Sequence, residues 1–240
     1  MSIAAPEAPT EPAADAPTAP PARRSRRTDL IMALVCVAGA FWITGSLWRD
    51  PNHTVVAHNR GDQALFEWLL AFQAHSVTHF TDPWWTTLLN YPIGANLAVN
   101  TSMVLVGTIM TPVTLLFGPS VAFLVVLTLN LAVSPYAWYW VLSRHVTRTR
   151  AAAVLGALFC GFAPGIVSHA NAHLNFTGQF LVPFIVWRTV ALARSRRPWR
   201  DGALLGLLVV AEFTIGAELM FFIGLGCAIF ALVWALQNRP

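Results

Sequence analysis

The sequence predicts an all-α membrane protein: a polytopic helical bundle of about six spans, with a further helix lying on the outer face after the first span. Three observations predict it. Hydrophobic residues form 56% of the 240-residue chain and charged residues only 11%, against roughly 25% charged in soluble domains. The apolar residues gather into membrane-length runs. Every basic residue is Arg, with no Lys, and the arginines stand beside those runs. That placement fits a topology signal and contact with anionic membrane lipids, and it excludes a nucleic-acid footprint as the main reading. Absence of Lys beside abundant Ala and Arg fits a GC-rich bacterial genome. Cys36, Cys160 and Cys227 all lie inside apolar runs and read as small core residues, not a disulfide framework or metal site.

Residues 1–28 form a Pro/Ala-rich tail, expected to be disordered and cytoplasmic, ending in Arg23, Arg24, Arg26 and Arg27. Residues 29–240 form the transmembrane domain. The first span is Leu30 to Trp48, too long for a signal-peptide core and without a cleavage site after it. The arginines hold its start in the cytoplasm, so the polar loop 49–100 lies outside. Within that loop a helix is expected from Asp62 to Phe80. Leu65, Phe66, Leu69, Phe72 and Val77 form its apolar stripe, and Gln63, Glu67, Gln73 and Thr78 face elsewhere. Trp84, Trp85 and Tyr91 suit the aromatic belt at the headgroups.

Met103 to Phe117 is short and interrupted by Pro112, and Val121 to Leu142 is a full span. Arg144, Arg148 and Arg150 follow and should be cytoplasmic. Parity then requires an odd number of crossings, so Met103–Phe117 is expected to dip into or lie on the outer leaflet. Ala151 to Val167 returns outward to a polar turn carrying His169, His173 and Asn175. Phe180 to Ala193 leads back to Arg194, Arg196, Arg197 and Arg200. Residues 202–236 suffice for two helices with a tight outer turn.

Several residues in this order carry a resemblance. Gly61-Asp62 precedes an aromatic-rich helix with Phe66, Glu67 and Trp68; Asp82-Pro83 and Tyr91-Pro92-Ile93-Gly94-Ala95-Asn96-Leu97 follow; Gly161-Phe162-Ala163-Pro164 precedes the His/Asn turn. Together they resemble the N-terminal half of bacterial polytopic enzymes of the GT-C glycosyltransferase superfamily, over about residues 30 to 236. The resemblance implies a GT-C-like fold, a polyprenyl-phosphate-linked sugar as donor, and a catalytic acid on the first outer loop, often supported by a second. Family members usually have more spans, and many add an outer soluble domain, so the chain reads as part of a longer architecture.

In this light Asp62 is the candidate base that takes the acceptor hydroxyl's proton; its bland reading is a helix N-cap, worth about 1 kcal/mol. Asp82 is a second acid or opens a turn before Pro83. Glu67 is five residues on and therefore off the Asp62 face, so it reads as solvated surface. His169, His173 and Asn175 are candidate donors to the sugar-phosphate, with Arg60 beside them and Glu218 at the last outer turn. Glu212 lies deeper and pairs with an arginine or sits protonated. Arg188 meets phosphate or snorkels to the cytoplasmic boundary. The His169/His173 and His75/His79 pairs have i, i+4 spacing, yet neither makes a zinc motif without further ligands. No metal ligand is designated; a divalent ion is the one cofactor candidate. The sequons at Asn52, Asn100 and Asn175 read as chance in a bacterial chain.

The expected setting is the bacterial inner membrane, multi-pass, with the N-terminus in the cytoplasm. Two other functions compete with the transferase. A non-catalytic subunit of a split transferase would need a second membrane subunit. A transporter or lipid flippase would place its acids along a mid-membrane path, whereas most acids here lie in a loop.

Overall fold

The computed structural model describes residues 26–57, 59–99 and 101–237. Most of the expected tail, together with His58 and the Asn100 sequon position, lies outside the described residues, while Arg26 to Thr28 already belong to the first helix. The helices are α1 (Arg26–Thr44), α2 (Arg60–His79), α3 (Val104–Phe117), α4 (Pro119–Val141), α5 (Arg150–Phe162), α6 (Pro164–His169), α7 (Leu174–Thr177), α8 (Val182–Leu192), α9 (Pro198–Phe213) and α10 (Ala217–Gln237). Among the described residues one small antiparallel ribbon, β1 (Trp85–Thr86) with β2 (Ala95–Asn96), lies between α2 and α3. Among the described residues four helical segments are long and apolar enough to cross a membrane: Arg26–Thr44, Pro119–Val146, Arg150–His169 and Ala217–Gln237.

Proline sets several helix starts. Pro119, Pro164, Pro183 and Pro198 occupy the first turn of α4, α6, α8 and α9, where a missing N–H leaves no bond unmade. Between α3 and α4 the chain reverses at Gly118, whose φ of 88° only glycine adopts freely.

The bundle is built around α4. Its C-terminal half meets α1 and α5 through Met32, Cys36, Tyr139, Ala153 and Ala157. Its N-terminal half meets α2 and α3 through Phe66, Leu69, Leu70, Val106, Phe123 and Leu127. Small residues make the closest approaches, as expected where lipid removes any hydrophobic drive between helices and packing decides. Gly161 lies directly against Pro135. Meanwhile Leu30, Leu34, Phe159 and Leu207 remain exposed, the pattern of helices that face lipid.

Polar contacts fix which ends lie together. The Arg144 guanidinium pairs with Asp29 at 2.9 Å, and the Tyr139 hydroxyl donates to the same carboxylate at 2.8 Å. Arg150 donates to the Thr28 hydroxyl at 3.1 Å. The end of α4 and the start of α5 therefore stand beside the start of α1. At the other end of α1, the Thr44 and Thr128 hydroxyls are 3.1 Å apart and the Trp48 indole donates to Thr128 at 3.0 Å. α1 and α4 are thus antiparallel, and Gly118 lies on the Thr44 side. Asn175 donates to Thr101 at 3.1 Å, while Asn130 donates to Leu174 O at 3.0 Å. These bonds hold the start of α3 near the middle of α4, so α3 runs beside the N-terminal half of α4 and never reaches the Asp29 end.

The orientation of α2 departs from the expected stripe. Gln63 is 4% exposed and Gln73 fully buried, whereas Leu65 and Val77 are each 38% exposed. Both glutamines are structural. Gln63 Oε1 accepts the Val56 N–H at 2.7 Å, and Gln73 donates to Pro83 O at 3.0 Å and Ser102 O at 3.3 Å. They tie the chain segments before and after α2 to the helix, and Gly107 makes room for Gln73.

Candidate active site

α2 begins at Arg60, two residues before Asp62. Asn59 occupies the N-cap position without capping; its amide instead donates to Asn171 O at 2.7 Å. Asp62 therefore lies inside the first turn. There the helix dipole favours a carboxylate, and the side chain is free to reach across the loop. It meets His173 Nε2 at 3.0 Å, with the two side chains 43% and 36% exposed. This pairing joins the start of α2 to the turn before α7.

The turn is shaped by a break in the Arg150–His169 segment. α5 ends at Phe162, Ala163 adopts an extended conformation, and Pro164 starts the short α6. Ala172 then takes a φ of 82° while fully buried. A Cβ-bearing residue in this region carries strain on the order of 1 kcal/mol or more, and such strain clusters at functional sites. The next residue is His173. Its Nδ1 lies 3.4 Å from His169 Nδ1, and the His169 ring stacks on Phe176 with centroids 4.4 Å apart.

One arrangement of protons satisfies both contacts: His169 Nδ1–H donates to His173 Nδ1, and His173 Nε2–H donates to Asp62. Glu218, exposed in the first turn of α10, is close enough for its charge to act on His169. Four ionisable groups from α2, α6, the α6–α7 turn and α10 thus gather at the Thr44 side of the bundle. The chemistry available is proton acceptance by a half-exposed carboxylate, with a histidine to orient it and pass charge onward.

The remaining candidates fall elsewhere. Asp82 is exposed beyond the far end of α2, about 26 Å along the helix from Asp62. Its Oδ1 accepts the Trp84 N–H at 2.7 Å, which makes a turn. Asn175 is 3% exposed and faces Thr101, with its Oδ1 left without a hydrogen-bond partner. Arg60 is exposed and enters no hydrogen bond or ion pair among the described residues. Glu67 accepts from Gln63 Nε2 at 2.8 Å, so it supports the buried Gln63 bridge. Arg188 pairs with Asp201 at the Asp29 end. Glu212 is fully buried, and both its carboxyl oxygens lack a partner. His75 and His79 stack at 4.0 Å on exposed surface. Among the described residues no group of three or more His, Cys, Asp or Glu side chains is arranged to hold a metal ion.

The Asp62–His173 pair has no local sequence signal. Its members are far apart in the chain, and only the fold brings the two loops together. Beside it lies an apolar groove of about 210 Å³ between α3 and α4, lined by Val106, Ile109, Met110, Leu129, Val133 and Phe180, with Asn130 also on its wall. Asn130 is the residue that holds Leu174, immediately after His173. In comparisons with known proteins, no family model, no curated protein and no solved structure matches this chain.

Proposed function

We propose that the chain is a membrane glycosyltransferase of GT-C type that moves a sugar from a polyprenyl-phosphate donor to an acceptor on the outer face of the bacterial inner membrane. The single observation that carries this reading is the half-exposed Asp62 carboxylate held 3.0 Å from His173. In the reaction, the acceptor O–H bond breaks as its oxygen bonds the anomeric carbon, Asp62 takes the proton, and the phosphate leaves with the electron pair of the old C–O bond. His173 fixes the direction of the carboxylate by donating its Nε2–H to it. The groove between α3 and α4 suits an isoprenoid tail by its aliphatic lining. The arginines at the Asp29 end favour a cytoplasmic N-terminus, with α8 and α9 completing six spans.

A second reading is a non-catalytic subunit of a split transferase. It is favoured by α10, none of whose residues is buried.

The test is sugar transfer by the reconstituted chain from a radiolabelled polyprenyl-phosphate sugar, comparing the unaltered protein with Asp62→Asn at equal amounts. Transfer that depends on Asp62 supports the enzyme. Equal transfer by both proteins removes Asp62 as the base, and absence of transfer until a second membrane subunit is added supports the split-enzyme reading.

A further inference from the structure

The end of the bundle opposite Asp62 is rich in arginine, and its two carboxylates are already committed. Asp29 is held by Arg144 and Tyr139. Asp201 accepts from Arg188 at 3.1 Å and from the Ser195 hydroxyl. His145 stacks on Trp187 at 3.9 Å, which brings the end of α8 to this same end. The turn from α8 to α9 is pinned by its own contacts, since Ser195 Oγ also accepts the Arg197 N–H at 2.9 Å. Arg194, Arg196, Arg197 and Arg200 project from it, exposed, with no carboxylate in ion-pair range among the described residues. Trp199 lies among them, 92% exposed, the placement of an indole at a membrane–water boundary.

An apolar groove starts at this turn. Its mouth, about 160 Å³, is lined by Thr189, Val190, Ala193, Arg194 and Phe230. Thr189, Val190 and Phe230 also line a second hollow of about 380 Å³, which runs on between α8 and α10 past Ile223, Gly226 and Cys227. A guanidinium cluster at the mouth of a continuous aliphatic groove has the two-part chemistry of a charged headgroup and a hydrocarbon chain.

We propose that the groove between α8 and α10 is a binding site for an anionic phospholipid, with its phosphate on Arg194 and the neighbouring exposed arginines and one acyl chain along Val190, Gly226 and Phe230. Guanidinium donors match phosphate oxygens bidentately. The headgroup lies at the opposite end of the bundle from Asp62, so this lipid is not a donor in reacting position.

The experiment uses the full chain in neutral detergent, with bound lipid counted by native mass spectrometry after exposure to phosphatidylglycerol or phosphatidylcholine. The unaltered protein is expected to retain phosphatidylglycerol preferentially. Each basic residue near a charged membrane surface is worth about fivefold, so Arg194→Gln with Arg197→Gln lowers retention about 25-fold. A Cβ on Gly226 meets open space, so Gly226→Phe fills the groove without disturbing a neighbour. It should weaken phosphatidylglycerol retention while leaving the arginines intact. Equal retention of the two lipids overturns the proposal. So does unchanged phosphatidylglycerol binding in the Gly226→Phe protein, or full competition by free glycerol phosphate, which would mark an anion site that uses no tail.

Discussion

Replacing Asn130 with Leu removes both bonds that its amide donates to α7: one to Leu174 O at 3.0 Å and one to the Thr177 hydroxyl at 3.2 Å. Neither acceptor is orphaned. Leu174 O still receives the Thr177 hydroxyl at 3.1 Å and the Gly178 N–H at 3.0 Å, so the penalty for a stranded polar group does not apply. Interhelical hydrogen bonds in bilayer proteins average about 0.6 kcal/mol each and reach about 1.7. Two of them predict a loss of about 1 kcal/mol, with about 3.4 as the ceiling. For a chain of this length that lowers Tm by about 2–4 °C per kcal/mol, read by circular dichroism in detergent. Ser134→Ala should behave alike, because Ser134 donates to Thr177 O at 2.9 Å while Gln179 N–H keeps Thr177 O as an alternative acceptor. Sugar transfer should fall further than stability does, since α7 carries His173 at its start and a displacement of about 1 Å can cost about 100-fold. A loss above about 4 kcal/mol would refute the claim that the acceptors stay satisfied. No loss in either variant would refute the claim that α4 holds α7.

Asp62→Asn should cost less than about 1 kcal/mol, because both partners of the pair are over a third exposed and solvent screens them. The same variant should lower transfer by about 10²–10⁴, and His173→Gln added to it should lower transfer little more, a non-additivity read from the double-mutant cycle. Gly107→Val places a Cβ 2.6 Å from Gln73 Cβ and should destabilise by about 1–3 kcal/mol; Gly165→Ala, with nothing within 4 Å of its Cβ, is the control, and equal Tm values for the two would sink the packing claim. The hydrogen bond to His53 holds the Asp50 carboxyl below its ordinary value. Any stabilisation from that pair is present above the ordinary carboxylate range and fades as pH falls through the lowered value. His53→Gln should therefore move the Asp50 titration midpoint upward in carboxyl NMR.

The order of apolar segments was legible because hydrophobic runs long enough to span a bilayer are rare in any other context. The break at Ala163 was not expected: the expected Ala151–Val167 span runs straight through Pro164, where α6 starts. The facing of α2 was legible in part: Phe66, Leu69 and Phe72 of the expected stripe are buried, while Gln63 and Gln73 were not expected inside. Its glutamines turn inward because Val56 N–H and the carbonyls of Pro83 and Ser102 need partners, and no periodicity encodes a need that arises from a distant loop. Leu65 and Val77 are left at the surface in exchange. Asp62, His173, His169 and Glu218 could each be singled out from residue type and position. That they gather, while Asp82 and Asn175 stay apart, depends on the length of α2 and on the break at Ala163.

Asn59 meets Asn171 just ahead of both members of the Asp62–His173 pair. The two loops are therefore clasped at a common hinge, and a shift in one drags the other with it. Because the clasp is an uncharged amide bond, loading or unloading a proton cannot loosen it. The alignment of Asp62 with His173 therefore does not hang on the protonation state of either.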